Sequence, residues 1–181
     1  MTADSLVRGA AVSVRHPAPT DRADFTAAAR RSRALHRPWT AAPDTDDAFD
    51  AYLERAERER ESCLLVTRNE DDELVGVYNV SEIVRGAFQN AYLGYYAFAP
   101  HAGTGAMRAA MPLVFEHAFA QLKLHRLQAN VQPENVASRA LLAATGWREE
   151  GFAPRYLRIE GDWRDHVLYA ITAEEIPRRR A

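Results

Sequence analysis

The sequence predicts an α/β fold: a single α+β domain on a mostly antiparallel, mixed sheet flanked by helices. Three observations predict it. The runs SCLLVTR, ELVGVYNVSEIV and AYLGYYAF follow one another directly as strands; strand and helix then alternate; and a final hairpin closes the order β-α-α-β-β-β-α-β-α-β-β. That order excludes a simple doubly wound parallel sheet.

AVSVRHP alternates apolar and polar residues as a first strand, broken by Pro17 and Pro19. Asp21 is the natural N-cap of a helix through DRADFTAAARRSRALH that ends near Pro38. A second helix starts near Asp44, where DTDD places acid in the first turn and FDAYLERAERER repeats apolar residues at helical spacing. NEDD between SCLLVTR and ELVGVYNVSEIV reads as a hairpin turn, and VRGAFQN leads into AYLGYYAF. A helix over residues 105 to 122, the strand RLQANVQ, the helix NVASRALLAAT ended by Gly146 and the hairpin YLRIEGDWRDHVLYAIT complete the chain before a basic tail, IPRRRA. With no repeat or long linker, residues 1–181 read as one domain.

The 23 basic and 25 acidic residues nearly cancel, so no global field selects nucleic acid or an anionic membrane. Cys63 is the only cysteine; it allows no internal disulfide and, in the apolar run CLLV, reads as a core residue. His101 and His125 have no second ligand at metal spacing, so no metal is expected. No signal-like segment and no run of about 18 apolar residues stands in the sequence, which predicts a soluble cytoplasmic protein.

Two stretches carry chemistry. In PHAGTGAM, Gly103 and Gly105 bracket Thr104, and with Ala102 and Ala106 they leave the backbone bare at the start of a helix. Bare amides at a helix N-terminus bind anions, and glycines also simply permit a tight turn. Neither a Walker loop nor a dinucleotide fingerprint is present. In QPENVASRALLAATGW, Asn135 is an N-cap and Ser138, three residues on, faces the same way. A serine there serves the helix poorly unless its hydroxyl has a partner outside it.

Together, YLGYYAF, HAGTGAM and PENVASRALLAATGW resemble the GNAT acyl-CoA N-acetyltransferases. Within them, VRGAFQNAYLGY and PENVASRALLAATGWREEGFAPRYLRIEGDWRDHVLYAIT are similar to the RimJ-type ribosomal-protein alanine N-acetyltransferases, with RimL-type enzymes as near cousins; residues 75 to 172 carry the resemblance. It implies the GNAT fold, acetyl-CoA as co-substrate, and an amine acceptor that is a protein N-terminus or a small amine. It implies that the amides of Ala102, Gly103, Thr104, Gly105, Ala106 and Met107 wrap the coenzyme A diphosphate. Tyr96, Ala97 and Phe98 then hold the pantetheine arm, with the Phe98 amide as oxyanion donor. Asn135 and Ser138 bind the cofactor arm, and Ser138 offers a proton to the departing thiolate.

This sequence departs from the family pattern in two ways. The turn's pattern begins with Gln or Arg and ends with Gly or Ala, where Ala102 and Met107 stand here. The carboxylate proposed as base in RimL-type enzymes falls on Leu157, which leaves Glu82 and Asp165, with His166 beside it, as candidate acceptors of the amine proton. A missing strong base favours N-terminal amines over lysine, because an α-amine of pKa about 7.7 to 8.0 is already roughly 10 to 20% neutral near pH 7. Tyr92, Tyr95, Tyr96, Trp147, Tyr156 and Trp163 are core residues or walls of an acceptor groove. A non-catalytic acyl-CoA sensor is the reading from another class, and both monomer and homodimer fit the sequence.

Overall fold

The computed structural model describes residues 5–176. Its strands are β1 (Val7–Arg8), β2 (Val12–Arg15), β3 (Ser62–Arg68), β4 (Leu74–Val84), β5 (Asn90–Ala97), β6 (Arg126–Val131), β7 (Arg148–Ile159) and β8 (Asp162–Thr172). Its helices are α1 (Arg22–Arg31), α2 (Arg33–His36), α3 (Asp46–Ala56), α4 (Ala106–Phe115) and α5 (Val136–Ala144). The strands form one sheet in the order β1-β2-β3-β4-β5-β6-β8-β7. Every neighbouring pair is antiparallel except β5 and β6, so the mixed, mostly antiparallel sheet is as the sequence predicts.

β3 reads as an unbroken apolar run because both faces of the sheet are covered. Its alternate residues enter different cores: Leu64 and Val66 join Met111, Val114 and Leu127 beneath α4, while Cys63 and Leu65 join Phe25, Phe49, Tyr52 and Phe98 beneath α1 and α3. Gly76 lets α4 lie close. A Cβ there would stand 2.6 Å from Met107 Sδ and 2.6 Å from the Tyr96 carbonyl oxygen. Next to it the Tyr78 hydroxyl donates to the Met107 carbonyl at 2.9 Å, which fixes the first turn of α4 on β4.

Four details differ from the sequence reading. The first helix is broken at Ser32, whose hydroxyl donates to the Ala28 carbonyl and accepts the Ala99 amide, so α2 turns toward the end of β5. Asp21 does not cap α1; its carboxylate takes both Arg15 guanidinium nitrogens and the Ala18 amide. The helix expected over 105 to 122 ends as α4 and a π-helical turn, Glu116–Gln121. β7 begins at Arg148 rather than near Tyr156, because an edge strand tolerates Pro154 and absorbs two bulges. The basic tail lies at residues 177–181, outside the described residues. Among the described residues no helix is long and apolar enough to cross a membrane.

One feature of the sheet positions the site. β5 and β6 pair only at Asn90 with Arg126, Ala91 with Leu127 and Tyr92 with Gln128. Beyond Tyr92 the strands part, while β6 stays paired with β8 as far as Val131 and Val167. The sheet therefore opens at the C-terminal ends of its only parallel pair, where α4 and α5 both begin.

Candidate active site

The opening holds a cavity of about 410 Å3 between the end of β5, the start of α4, α5 and the α2 end of the first helical pair. A second cavity of about 200 Å3 lies on the other side of Tyr95 and Ser138, walled by Leu93, β6, Leu157, Ile159 and His166. Trp39, Thr40, Tyr95, Asn135 and Ser138 border both. No aspartate or glutamate borders either cavity among the described residues. Arg37, just before Trp39, stands 3.7 Å from Glu160 at the β7–β8 turn, so the two segments that flank the second cavity approach one another at its rim.

The PHAGTGAM turn is built as a cradle. Gly103 (φ 78°) and Gly105 (φ 86°) are left-handed, and a Cβ on either would meet nothing within 4 Å. Glycine at both positions thus avoids backbone strain and keeps the concave face bare. The turn uses some of its own amides: Thr104 donates its N–H to the His101 carbonyl at 3.3 Å, and Ala106 donates to Thr104 Oγ1 at 3.4 Å. The amides of Ala102, Gly103, Gly105, Met107 and Arg108 have no acceptor among the described residues. Oriented free amides at the head of α4 suit an anion; of the six predicted, those of Ala102, Gly103, Gly105 and Met107 remain available, and that of Arg108 adds to them. The Arg108 side chain, exposed at the same cavity and unpaired among the described residues, adds a cation that the motif reading had not used.

Alternation along β5 corrects one expectation. The Phe98 amide donates to the Val75 carbonyl at 2.8 Å and is spent on β4, so it is not an oxyanion donor. In an antiparallel ladder, alternate residues face the same neighbour. Tyr96 and Phe98 thus face β4, whereas the amides of Tyr95 and Ala97 face the opening, past the last β6 pair. The Ala97 carbonyl accepts a hydrogen from His36 Nε2 at 2.8 Å. Burial pushes the His36 imidazole down, against the opposing pull of that carbonyl, and it stays neutral there. Phe98 itself is wholly buried under α1, and the Tyr96 hydroxyl has no partner among the described residues.

Asn135 and Ser138 are brought together as the spacing predicts. Asn135 Oδ1 accepts the Ser138 amide at 3.0 Å, the N-cap of α5. Ser138 Oγ has the outside partner that its position called for: the Tyr95 hydroxyl, 2.6 Å away across the opening. Burial pushes the Tyr95 phenol well above its ordinary pKa, with the Ser138 hydrogen bond pulling the other way, so it is protonated at any working pH.

The two carboxylate candidates are not at the site. Glu82 is exposed, pairs with Arg60 at 2.9 Å and sits at a bulge in β4 near the paired end of β5. Asp165 is exposed and accepts the Arg155 amide at 2.7 Å, which holds the second β7 bulge. Neither borders a cavity. His166, next to Asp165 in sequence, does border the second one. Tyr95 was legible only as one of several aromatics, and His36, Trp39, Thr40 and Arg108 had no local signal at all; they reach the site through the break at Ser32 and the first turn of α4. Among the described residues no group of three or more His, Cys, Asp or Glu is placed to hold a metal.

Residues 12–148 match the acetyltransferase (GNAT) domain model. The Probable N-acetyltransferase YjcK of Bacillus subtilis is 40% identical over 66% of this chain and 66% of its own length. The [Ribosomal protein uS5]-alanine N-acetyltransferase of Escherichia coli is 41% identical over 59% of this chain and 55% of its own. The chain thus spans less than two thirds of the length of the curated relatives it matches. Among solved structures, Mycobacterium smegmatis RimJ in complex with CoA-disulfide superposes with a TM-score of 0.84 at 32% identity, covering 92% of this chain and 84% of that one. The Vibrio fischeri ribosomal-protein-S5-alanine acetyltransferase gives 0.81 at 26%, covering 92% and 96%.

Proposed function

The chain belongs to the GNAT acetyltransferase family, and on that premise we propose that it transfers the acetyl group of acetyl-CoA to the N-terminal α-amine of a protein or peptide, ribosomal proteins being the class its relatives' names suggest. The observation that carries the reading is the pair of cavities meeting at Tyr95 and Ser138 where β5 and β6 part. One side offers an anion cradle, the other a small acceptor space, and a hydroxyl pair stands between them.

The residues present fit coenzyme A: free amides of the Ala102–Arg108 turn with the Arg108 guanidinium for its phosphates, and the β5 edge at Tyr95 and Ala97 for an extended amide-bearing arm. When bound, acetyl-CoA supplies an activated acetyl thioester. The amides of Tyr95 and Ala97 are the donors this chain turns toward a carbonyl oxygen that gains charge as the amine attacks. Either hydroxyl of the Tyr95–Ser138 pair can be the donor; with Tyr95, kept protonated, donating to Ser138 Oγ, the Ser138 hydrogen is free to meet the departing sulfur.

The second cavity supports an α-amine over a polyamine. Spermidine acetyltransferases share the fold with TM-scores up to 0.77, but at 18 to 19% identity. A polycation needs carboxylates to replace its lost hydration, and among the described residues none borders the cavities. The test is thiol release from acetyl-CoA against peptides beginning with Ala, Ser or Met and against spermidine and free amino acids, with coenzyme A binding measured separately by calorimetry. Turnover on Ala- or Ser-starting peptides is the expected result. Turnover only on small amines overturns the acceptor assignment, and tight binding without turnover on any amine points instead to the sensor.

A further inference from the structure

We propose that His166 is the base that takes the proton from the acceptor amine, an inference that rests on the acetyl-transfer reading above. His166 is 3% exposed and borders the second cavity together with Tyr95 and Ser138. Nδ1 stands 3.0 Å from the Arg164 carbonyl oxygen, which can only accept, so Nδ1 carries the hydrogen. That bond leaves Nε2, on the far side of the ring, with a lone pair. Nε2 has no protein partner among the described residues and is not among the buried atoms sealed without one, so it keeps accessible surface, and the second cavity is the space that His166 borders. An imidazole oriented by a backbone carbonyl at one nitrogen, with the other left without a protein partner beside a pocket, has the arrangement of a general base.

The surroundings leave no competing acid or base within the cavity. Tyr95 from β5 and Tyr156 from β7, whose ring centroid is 5.9 Å from that of His166, are the titratable neighbours. β6 contributes the neutral Asn130 and Gln132, and the segment after α2 contributes Trp39 and Thr40. On its own strand, Asp165 is turned to the Arg155 amide and Arg164 presents only its carbonyl.

The proton balance is simple. An amine arriving as ammonium gives one proton to Nε2, and its freed lone pair forms the C–N bond to the acetyl carbon. The C–S bond breaks with its pair on sulfur, sulfur takes the Ser138 proton, and the second proton shed by nitrogen returns to Ser138 Oγ and restores the hydroxyl. The imidazolium then releases its proton to solvent, which restores the base.

His166→Asn tests this, because the Asn amide takes the place of Nδ1 and keeps the Arg164 contact while removing Nε2. His166→Gln does the reverse, reaching the place of Nε2 with a group that is no base. With the amine pKa at about 7.7 to 8.0, the neutral fraction alone makes kcat/KM of either variant fall at least about 6- to 11-fold at pH 7. The deficit closes to within about three-fold at pH 9.5, where the amine arrives neutral, with coenzyme A affinity unchanged. An equal loss at both pH values, a loss in His166→Gln alone, or no loss overturns the assignment. The wild type is assayed first on the peptide and amine panel. If only a small amine turns over, the protein N-terminus reading fails, and the same pH ratio for His166 is read on that amine.

Discussion

The Tyr95 hydroxyl stands 2.6 Å from Ser138 Oγ and ties β5 to α5 across the gap left where β5 and β6 separate. If Tyr95 acts by aiming the Ser138 hydrogen, the two side chains behave as one unit. Ser138→Ala then lowers kcat 10-fold or more, on the order of a general-acid contribution, with coenzyme A affinity within a few-fold. Tyr95→Phe keeps the ring and lowers kcat by about 3- to 10-fold, and the double variant is no slower than Ser138→Ala. Additive losses, measured by steady-state kinetics on the best peptide, separate the two roles.

In the proposed reading, coenzyme A affinity depends on the bare face of the Ala102–Arg108 turn. Gly105→Ala puts a side chain on a residue at φ 86° and into the open face, which costs roughly 1 to 2 kcal/mol of backbone strain and blocks the cradle. Calorimetry is expected to show coenzyme A binding weakened about 10-fold or more, with a lower Tm. Arg108→Ala weakens binding about 3- to 10-fold, less so at high salt, and leaves Tm unchanged. Ala102→Arg restores the side chain that the family pattern carries there and tightens binding by up to about 10-fold.

The middle of the fold was legible because β3, β4 and β5 carry unambiguous apolar runs, and the cradle because Gly103 and Gly105 are where only glycine is unstrained. Asn135 and Ser138 followed from helical spacing. What failed depended on register: whether Tyr95 or Tyr96 faces the opening is decided by which residues β4 pairs with, and no local pattern encodes that. The proximity of His36, Trp39 and Thr40 is tertiary too, produced by the Ser32 break that turns a distant helix end onto β5. Glu82 and Asp165 misled for a related reason. Glu82 sits in a β4 bulge, where one extra residue changes the face a side chain occupies, and Asp165 lies opposite a β7 bulge whose Arg155 amide takes its carboxylate.

Those two carboxylates give a negative control with opposite structural costs. Glu82→Gln removes an exposed ion pair with Arg60 and is expected to leave both kcat/KM and Tm within error. Asp165→Ala leaves the Arg155 amide without its acceptor at the β7 bulge and lowers Tm by a few degrees. Its kcat follows that of the wild type at temperatures well below the transition. A 100-fold loss in either variant at full folding places the base on a carboxylate instead of on His166.

Stability against acid follows from which groups are held away from their ordinary pKa. His117 is buried in the π-helical turn with Nδ1 against Gln121 Oε1 at 2.6 Å and Nε2 against Ser62 Oγ at 2.8 Å; burial pushes its pKa down, as it does for His36. The unfolded chain therefore binds protons from about pH 6.5 downward that the folded chain refuses. The stability from both imidazoles is full above that pH and declines as pH falls toward their folded values. Glu150 is the opposite type of group: Arg126, and then Arg148, hold its carboxyl down at about 2, so its contribution persists below the histidine window and is lost only as pH falls from about 4.5 toward 2. Tm measured from pH 8 to pH 3 is expected to fall in two stages. His117→Gln flattens the first stage and Glu150→Gln the second, whereas a single transition below pH 4.5 in the wild type shows that the imidazoles carry no linked stability.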